Sequence, residues 1–249
     1  MDFQGELPGG SSLKMSLFIM TIFTFLIPAL LFTWLIFKKN SSAFLGLSKS
    51  PKLSWLAMVG AMLILLMPII QFSFELNQGL PLPSWMSKME DSANDTLIQL
   101  LQMEHLGHLL VNIGLIAILP ALGEELLFRG VIQKYLYSIF AKPQISVWVT
   151  AFLFSAIHLQ FEGFIPRFLL GLFLGYLYYW TKNLWLPIVA HFLNNAMMLV
   201  FAYTMPEDQF AVEEAALPDI PLLVVVLALV LLIPGIQFFH KIRISEGVS

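Results

Sequence analysis

The chain has 249 residues, 58% of them hydrophobic and only 12% charged, with a formal net charge of -3. Soluble domains carry about twice that charged fraction, so the composition excludes an ordinary soluble domain and points to several membrane crossings, as does the mean hydropathy of +0.82. The sequence holds no cysteine, which excludes disulfides, thiol nucleophiles, thiolate metal ligands and cysteine lipidation. No basic patch, zinc-finger spacing or phosphate loop supports a nucleic acid or nucleotide partner.

Residues 15–37 form an uncharged run between Lys14 and Lys38-Lys39. The run is too long for a signal-peptide core, lacks a small-residue cleavage site, and predicts a retained first span. Residues 53–74 predict a second span, and the polar stretch 75–105 contains a predicted interfacial helix after Pro81 and Pro83. A third apolar stretch, 106–123, is broken by Pro120 and leads straight into Glu124-Glu125; 126–140 continues as helix with Arg129 and Lys134 its only charges. Ala141-Lys142-Pro143 is a turn signal. A fourth span over 144–161 is expected to contain His158. A fifth, 164–181, has Arg167 near its start and Gly171 and Gly175 at a spacing suited to close helix packing. After Lys182-Asn183 a sixth span, 184–204, carries His191, Asn194 and Asn195, and a last one, 220–239, follows the acidic loop 205–219.

The expectation is therefore an all-α polytopic bundle of about seven spans with a polar cluster inside the membrane. It divides into two N-terminal spans plus a polar loop (1–105), a core (106–204), and an acidic loop with the last span (205–249). Lysines set orientation. The loop after the first span holds Lys38, Lys39, Lys49 and Lys52 and no acid, whereas 205–219 holds five acids and no base. Placing alternate loops inside puts ten of the 13 Lys and Arg residues on the cytoplasmic side of the cell membrane, with the N-terminus outside and the C-terminus inside. Inverting that arrangement would put the entrance to the site outside.

Ionisable residues at membrane depth are costly and mark a functional site by default. On a helix Glu125 and Arg129, four apart, pair along one face, and Glu124 points about 100° away. Residue marks of other ways to cut a peptide in a membrane are missing. Glu104-His105-Leu106-Gly107-His108 has the wrong order for a His-Glu-x-x-His zinc site, no Asp occurs between Asp95 and Asp208, and no Gly-x-Ser-Gly lies inside a span. Glu124, His158, His191 and Asn195 remain. Glu124 and His158 each lie 17 residues from Ala141, so a helical hairpin turning there sets them at one depth, roughly 25 Å along the helix from the turn. His191 and Asn195 share a helix face, but His191 is only eight residues from Asn183, roughly 12 Å. Bringing it level requires helix tilt or a projecting hairpin tip. Asn194 is expected to face away from the His191/Asn195 stripe.

Glu124-Glu125-x-x-x-Arg129, Phe154-x-x-x-His158 and His191-x-x-x-Asn195 resemble, in order, the three motifs of the CAAX-processing and bacteriocin-processing (Abi-type) intramembrane protease family. The resemblance covers about 106–204. It implies an endopeptidase in which Glu124 is the general base helped by His158, while His191 and Asn195 stabilise the oxyanion. Glu125, Arg129 and Phe154 take supporting roles. The implied partners are membrane lipid and a peptide or protein substrate, with prenylated CAAX-type C-termini the family's best-known class. Two arrangements of the site stay open: one zinc held by Glu124, His158 and His191, or a water held without metal. Asparagine is an uncommon zinc ligand, and metal-bound histidines usually donate their second nitrogen to a carboxylate or carbonyl. With Glu125 expected to be taken by Arg129, the metal-free arrangement is preferred. The competing class is a non-enzymatic membrane protein, either an immunity factor or scaffold of the same family or a small transporter, although no internal repeat of the transporter kind is present.

Overall fold

In lipid, backbone N–H and C=O groups have only one another as partners, so long apolar runs must become helices. The computed structural model describes residues 10–204 and 220–245, and the acidic loop 205–219 invoked above lies outside them. Among the described residues every regular element is helical. The first crossing joins α1 (Gly10–Thr21) to α2 (Ile27–Phe37) through a π-helical segment, Ile22–Leu26, and is followed by the short α3 (Ser41–Leu45). Next come α4 (Leu53–Gln78) and α5 (Ser84–Leu101). A continuous rod then runs through α6 (Leu106–Asn112), a π segment Ile113–Ile118, α7 (Leu119–Leu127), a second π segment Phe128–Ile132, and α8 (Gln133–Phe140). It turns back into α9 (Pro143–Ala156), and α10 (Phe164–Thr181), α11 (Trp185–Thr204) and α12 (Leu222–Ser245) complete the bundle.

Five of these helical runs are long and apolar enough to cross a membrane: Ser12–Leu45, Leu53–Gln78, Leu106–Phe140, Trp185–Thr204 and Leu222–Ser245. Helix α9 is apolar but shorter, and α10 spends part of its length on Arg167 and a Tyr-Tyr-Trp end. With those two the chain makes about seven passes, as expected. The protein is a multi-pass membrane protein, and its outer surface shows why. Phe23, Trp34, Leu223 and Leu231 are each more than half exposed, which suits hydrocarbon and not water. On α12 the buried residues Val225, Ala228, Leu232, Gly235 and Phe239 recur every three or four positions and mark its inner face.

Helices α4, α10, α11 and α12 share the largest core, built on Val59, Leu63, Leu174, Leu177, Leu186 and Phe239. The small residues of α10 do what their spacing predicts. A Cβ on Gly171 would stand 3.1 Å from Ala151 Cα, and one on Gly175 would stand 2.9 Å from Val147 Cγ1. Helix α9 therefore lies directly against α10, and the two carbonyls at the contact are free to accept side-chain donors.

The loop after α2 is stitched to the α10–α11 turn. Leu184 N donates to Gly46 O at 3.0 Å, Asn183 Nδ2 to Lys49 O at 2.9 Å, and Trp185 Nε1 to Leu47 O at 3.1 Å. Gly46 sits at φ +82°, where a side chain would be strained and would collide with Lys182 O. The lysine-rich loop, the 182–183 turn, the α8–α9 tip and the end of α12 thus gather at one end of the bundle, and α5 lies at the other.

Candidate active site

Two π segments bracket α7, and each inserts an extra residue into its turn, a distortion concentrated at functional sites. Between them stand Glu124 and Glu125 on different faces. Glu125 and Arg129 are fully buried, and Arg129 Nη1 donates to Glu125 Oε1 at 2.7 Å. Arg129 Nη2 donates to Gly171 O at 2.9 Å, one of the carbonyls uncovered by the glycine contact. The same Glu125 oxygen lies 2.9 Å from His191 Nδ1. The sequence expectation that Arg129 uses up Glu125 is therefore corrected: one carboxylate oxygen takes both donors, a doubling that four-residue spacing cannot reveal.

Glu124 Oε2 is buried with no hydrogen-bond partner in the protein. It stands 3.9 Å from His158 Nε2 and 4.0 Å from His191 Nε2. The three expected residues do come together. The depth difference noted for His191 is taken up by a projecting tip. Leu184, two residues past Lys182, lies beside Gly130, so the rod beyond Gly130 extends past that turn, by roughly 15 Å over the ten residues to Phe140.

His158 differs from expectation in its setting. The fourth helix does not run through it but stops at Ala156, and His158 stands in the following loop. Leu159 takes φ +55° there. Distant residues capture the loop backbone. Glu90 Oε2 of α5 accepts from Phe161 N at 2.7 Å, Asn77 of α4 donates to Phe161 O and to Glu162 O, and Arg167 Nη1 donates to Gln160 O at 3.3 Å. Sequence reasoning passed over Asn77 and Glu90. Neither carries a local signal, since Glu90 is followed by an exposed Asp91 on the same amphipathic helix.

The hydrogen bonds fix where the protons sit. His158 Nδ1 is 2.7 Å from Phe154 O, and a carbonyl only accepts, so Nδ1 carries the hydrogen. His191 Nδ1 faces a carboxylate oxygen in the same way. Both imidazoles then turn an Nε2 lone pair toward Glu124 Oε2. Phe154, fully buried, touches everything that holds this arrangement. Its ring centroid is 5.2 Å from that of His158 and 5.7 Å from that of His191, and the Arg129 guanidinium lies 4.7 Å from it on the ring face.

Three lone-pair groups facing one point require something with hydrogens or positive charge between them. A water between them can donate to two of the three at about 2.8 Å. A tetrahedral zinc bonded at about 2.0–2.1 Å needs donors about 3.3 Å apart. These donors stand wider, at 3.9 and 4.0 Å, and among the described residues no group of three His, Asp or Glu is spaced to hold an ion. The residues as placed do not fit a metal.

Asn195 lies one turn beyond His191 on α11. Its Nδ2 donates to Ile116 O of the first π segment at 3.2 Å, and its Oδ1 accepts from Asn194 Nδ2 at 3.2 Å. Asn194 therefore does not face away; it lines the same cavity and fixes the amide of its neighbour. One N–H of Asn195 remains for a ligand.

Glu124, both histidines, Asn195 and Arg167 line a cavity of about 660 Å³ whose rim includes Gln78, Asn94 and Glu162. The rim belongs to the α5 end of the bundle, opposite the lysine-rich end. The sequence expectation put the entrance at the lysine-rich end, and the rim lies at the other one.

Comparison with known proteins gives a family match over this same region. Residues 106–197 match the family model described as type II CAAX prenyl endopeptidase, Rce1-like. An uncharacterised protein, YpbD, of Bacillus subtilis (strain 168) is 33% identical over 90 residues, 34% of this chain and 43% of that protein. The membrane-embedded CAAX protease MroQ of Staphylococcus aureus (strain USA300) is 31% identical over 103 residues, 39% of this chain and 41% of that protein. The chain thus spans less than half the length of either relative. No solved structure matches it.

Proposed function

We propose that this protein, which belongs to the type II CAAX prenyl endopeptidase Rce1-like family through residues 106–197, is an intramembrane endopeptidase whose catalytic unit is 106–204. The observation that carries this reading is the convergence of Glu124 Oε2 with the Nε2 lone pairs of His158 and His191, at 3.9 and 4.0 Å, on one wall of a cavity.

A water that donates to Glu124 Oε2 and His158 Nε2 attacks the scissile carbonyl carbon, and Glu124 takes the proton it shares as general base. The carbonyl oxygen becomes an oxyanion, which accepts from the free Asn195 N–H and from His191 Nε2 while that nitrogen shares the proton taken up by Glu124. Collapse of the tetrahedral carbon breaks the C–N bond, and the proton on Glu124 passes to the departing amine. One water is consumed and an acid and an amine leave. Glu125 orients His191 by accepting from its Nδ1, as a carboxylate behind an imidazole does. Arg129 and Phe154 hold Glu125 and the two rings in place. No step passes through a metal.

The substrate is a peptide segment at the membrane. A lipid-modified C-terminus follows from the family's substrate class; the α5 end of the bundle is where it would enter. Comparative mass spectrometry of membrane peptides from cells making the wild-type or the Glu124→Ala protein tests the activity. Peptides processed only with the wild type are expected, and identical peptide sets would overturn the reading.

Entry side is tested through the missing cysteines. Ser42, Ser92 and Ala141 are all exposed, and the orientation set by the lysines predicts labelling of a cysteine at Ser92 by a membrane-impermeant thiol reagent in intact cells. Cysteines at Ser42 and Ala141 should be shielded. The reverse pattern would put the cavity mouth on the cytoplasmic side.

Metal independence is tested by elemental analysis of active purified protein together with turnover after chelation. Unchanged turnover after stripping is expected. Stoichiometric zinc whose removal abolishes turnover and whose return restores it would show that the three donors close by about half an ångström around an ion.

A further inference from the structure

The end of the bundle remote from the cavity holds a second cluster, of one sign. Lys134 of α8, Lys182 of the α10–α11 turn and Arg243 near the end of α12 lie against aromatic rings, with Tyr179 shared by Lys182 and Arg243. Lys134 Nζ lies 4.1 Å from the Phe44 ring and 5.4 Å from that of Tyr178. Lys182 Nζ lies 5.7 Å from both Tyr137 and Tyr179, and the Arg243 guanidinium is 4.3 Å from Tyr179. Lys134 and Lys182 also line one small cleft, about 40 Å³, with Ser146 and Gln133.

Among the described residues no carboxylate balances the charge of this cluster: none of the three cations has one within ion-pair distance. Arg243 Nε is buried without a hydrogen-bond partner. Burial and the neighbouring Arg243 both push the Lys182 ammonium below its ordinary value. Bringing cations together and partly out of water is costly, and cation–π contacts of about 0.5–1 kcal/mol each offset only part of that cost. The preference of lysine for one side of a membrane accounts for basic loops. It does not account for three cations from separate parts of the chain packed onto neighbouring rings, two of them on Tyr179. A basic cleft between helix ends at the membrane surface is the kind of place where phosphate headgroups dock.

We propose that Lys134, Lys182 and Arg243 form a binding site for a phosphate-bearing anion at the membrane surface, separate from the Glu124 cavity. The site rests on its own geometry and does not depend on the proteolytic reading. The chemistry is a phosphate held by two ammonium groups and a guanidinium, and its source is either the headgroup of an anionic phospholipid or free phosphate.

Binding to the purified full-length protein in detergent is measured by native mass spectrometry and thermal stability with phosphatidylglycerol, phosphatidylcholine or inorganic phosphate. Phosphatidylglycerol is expected to bind and raise the melting temperature, and phosphatidylcholine is not. Each cation removed should weaken phosphatidylglycerol about fivefold, so that Lys182→Gln/Arg243→Gln weakens it about 25-fold. Lys134→Gln alone should cost about fivefold, which keeps the test available where the double variant does not fold, and Lys182→Arg should bind as the wild type does. If inorganic phosphate reproduces the stabilisation and the same variants abolish it, the site takes the free ion. Equal binding of the two lipids, or wild-type binding of phosphatidylglycerol by the Gln variants, would overturn the proposal.

Discussion

Glu124→Gln is expected to reduce peptide cleavage by at least about a hundredfold, the lower bound for a positioned general base, without weakening the fold. Glutamine has the same size as glutamate but cannot take a proton from water. The structural cost is small because Glu124 Oε2 has no protein hydrogen bond to lose. The new amide would instead donate toward the Nε2 atoms now 3.9 and 4.0 Å away, turning an all-acceptor cluster into donor–acceptor pairs. Thermal stability should therefore hold or rise while turnover vanishes. Measuring both on the same preparation separates the two effects, and wild-type turnover in the Gln variant would remove Glu124 from the mechanism. His158→Gln should also lose most turnover, since the ring supplies a lone pair that the amide oxygen replaces only at a different reach.

How much of this was legible beforehand depended on where the determining contact lay. Ionisable residues are so rare in this sequence that Glu124, Glu125, Arg129, His158 and His191 announce themselves. The equal distances of Glu124 and His158 from Ala141 also find their common depth, because a helical hairpin converts sequence distance into height. The Gly171 and Gly175 pair reads correctly for a similar reason: four-residue spacing fixes one helix face. What escaped was decided by remote partners. Helix α9 stops before His158 because Asn77 and Glu90, on α4 and α5, seize the backbone of the next loop. Asn194 turns into the cavity because its neighbour's amide needs a donor. The mouth faces α5 because α5 itself forms part of the wall, and nothing in a short amphipathic helix says what it covers.

The buried pair beside the site should be the most sensitive point of the fold. Arg129→Leu is expected to destabilise the protein by about 3–5 kcal/mol, the usual result of removing one partner from a buried ion pair. Both side chains are wholly buried, and the substitution strips Glu125 Oε1 of its cation and Gly171 O of its donor. Glu125 Oε2 has no partner already, so the carboxylate would keep only His191. Glu125→Gln should cost less, because the amide oxygen can still accept from both Arg129 and His191 Nδ1. Combining Arg129→Leu with Glu125→Leu should recover part of the loss, since two apolar side chains of similar volume replace a pair whose desolvation offsets much of its attraction. Such recovery can extend to stability but not to turnover, because His191 would have no carboxylate behind its ring. Denaturation in detergent of the two single variants and the double variant, alongside turnover, tests this ordering. Full stability with lost turnover in Arg129→Leu would instead make Arg129 a group that meets the substrate, and a double variant weaker than either single would mean that the Glu125 contact to His191 outweighs the one to Arg129.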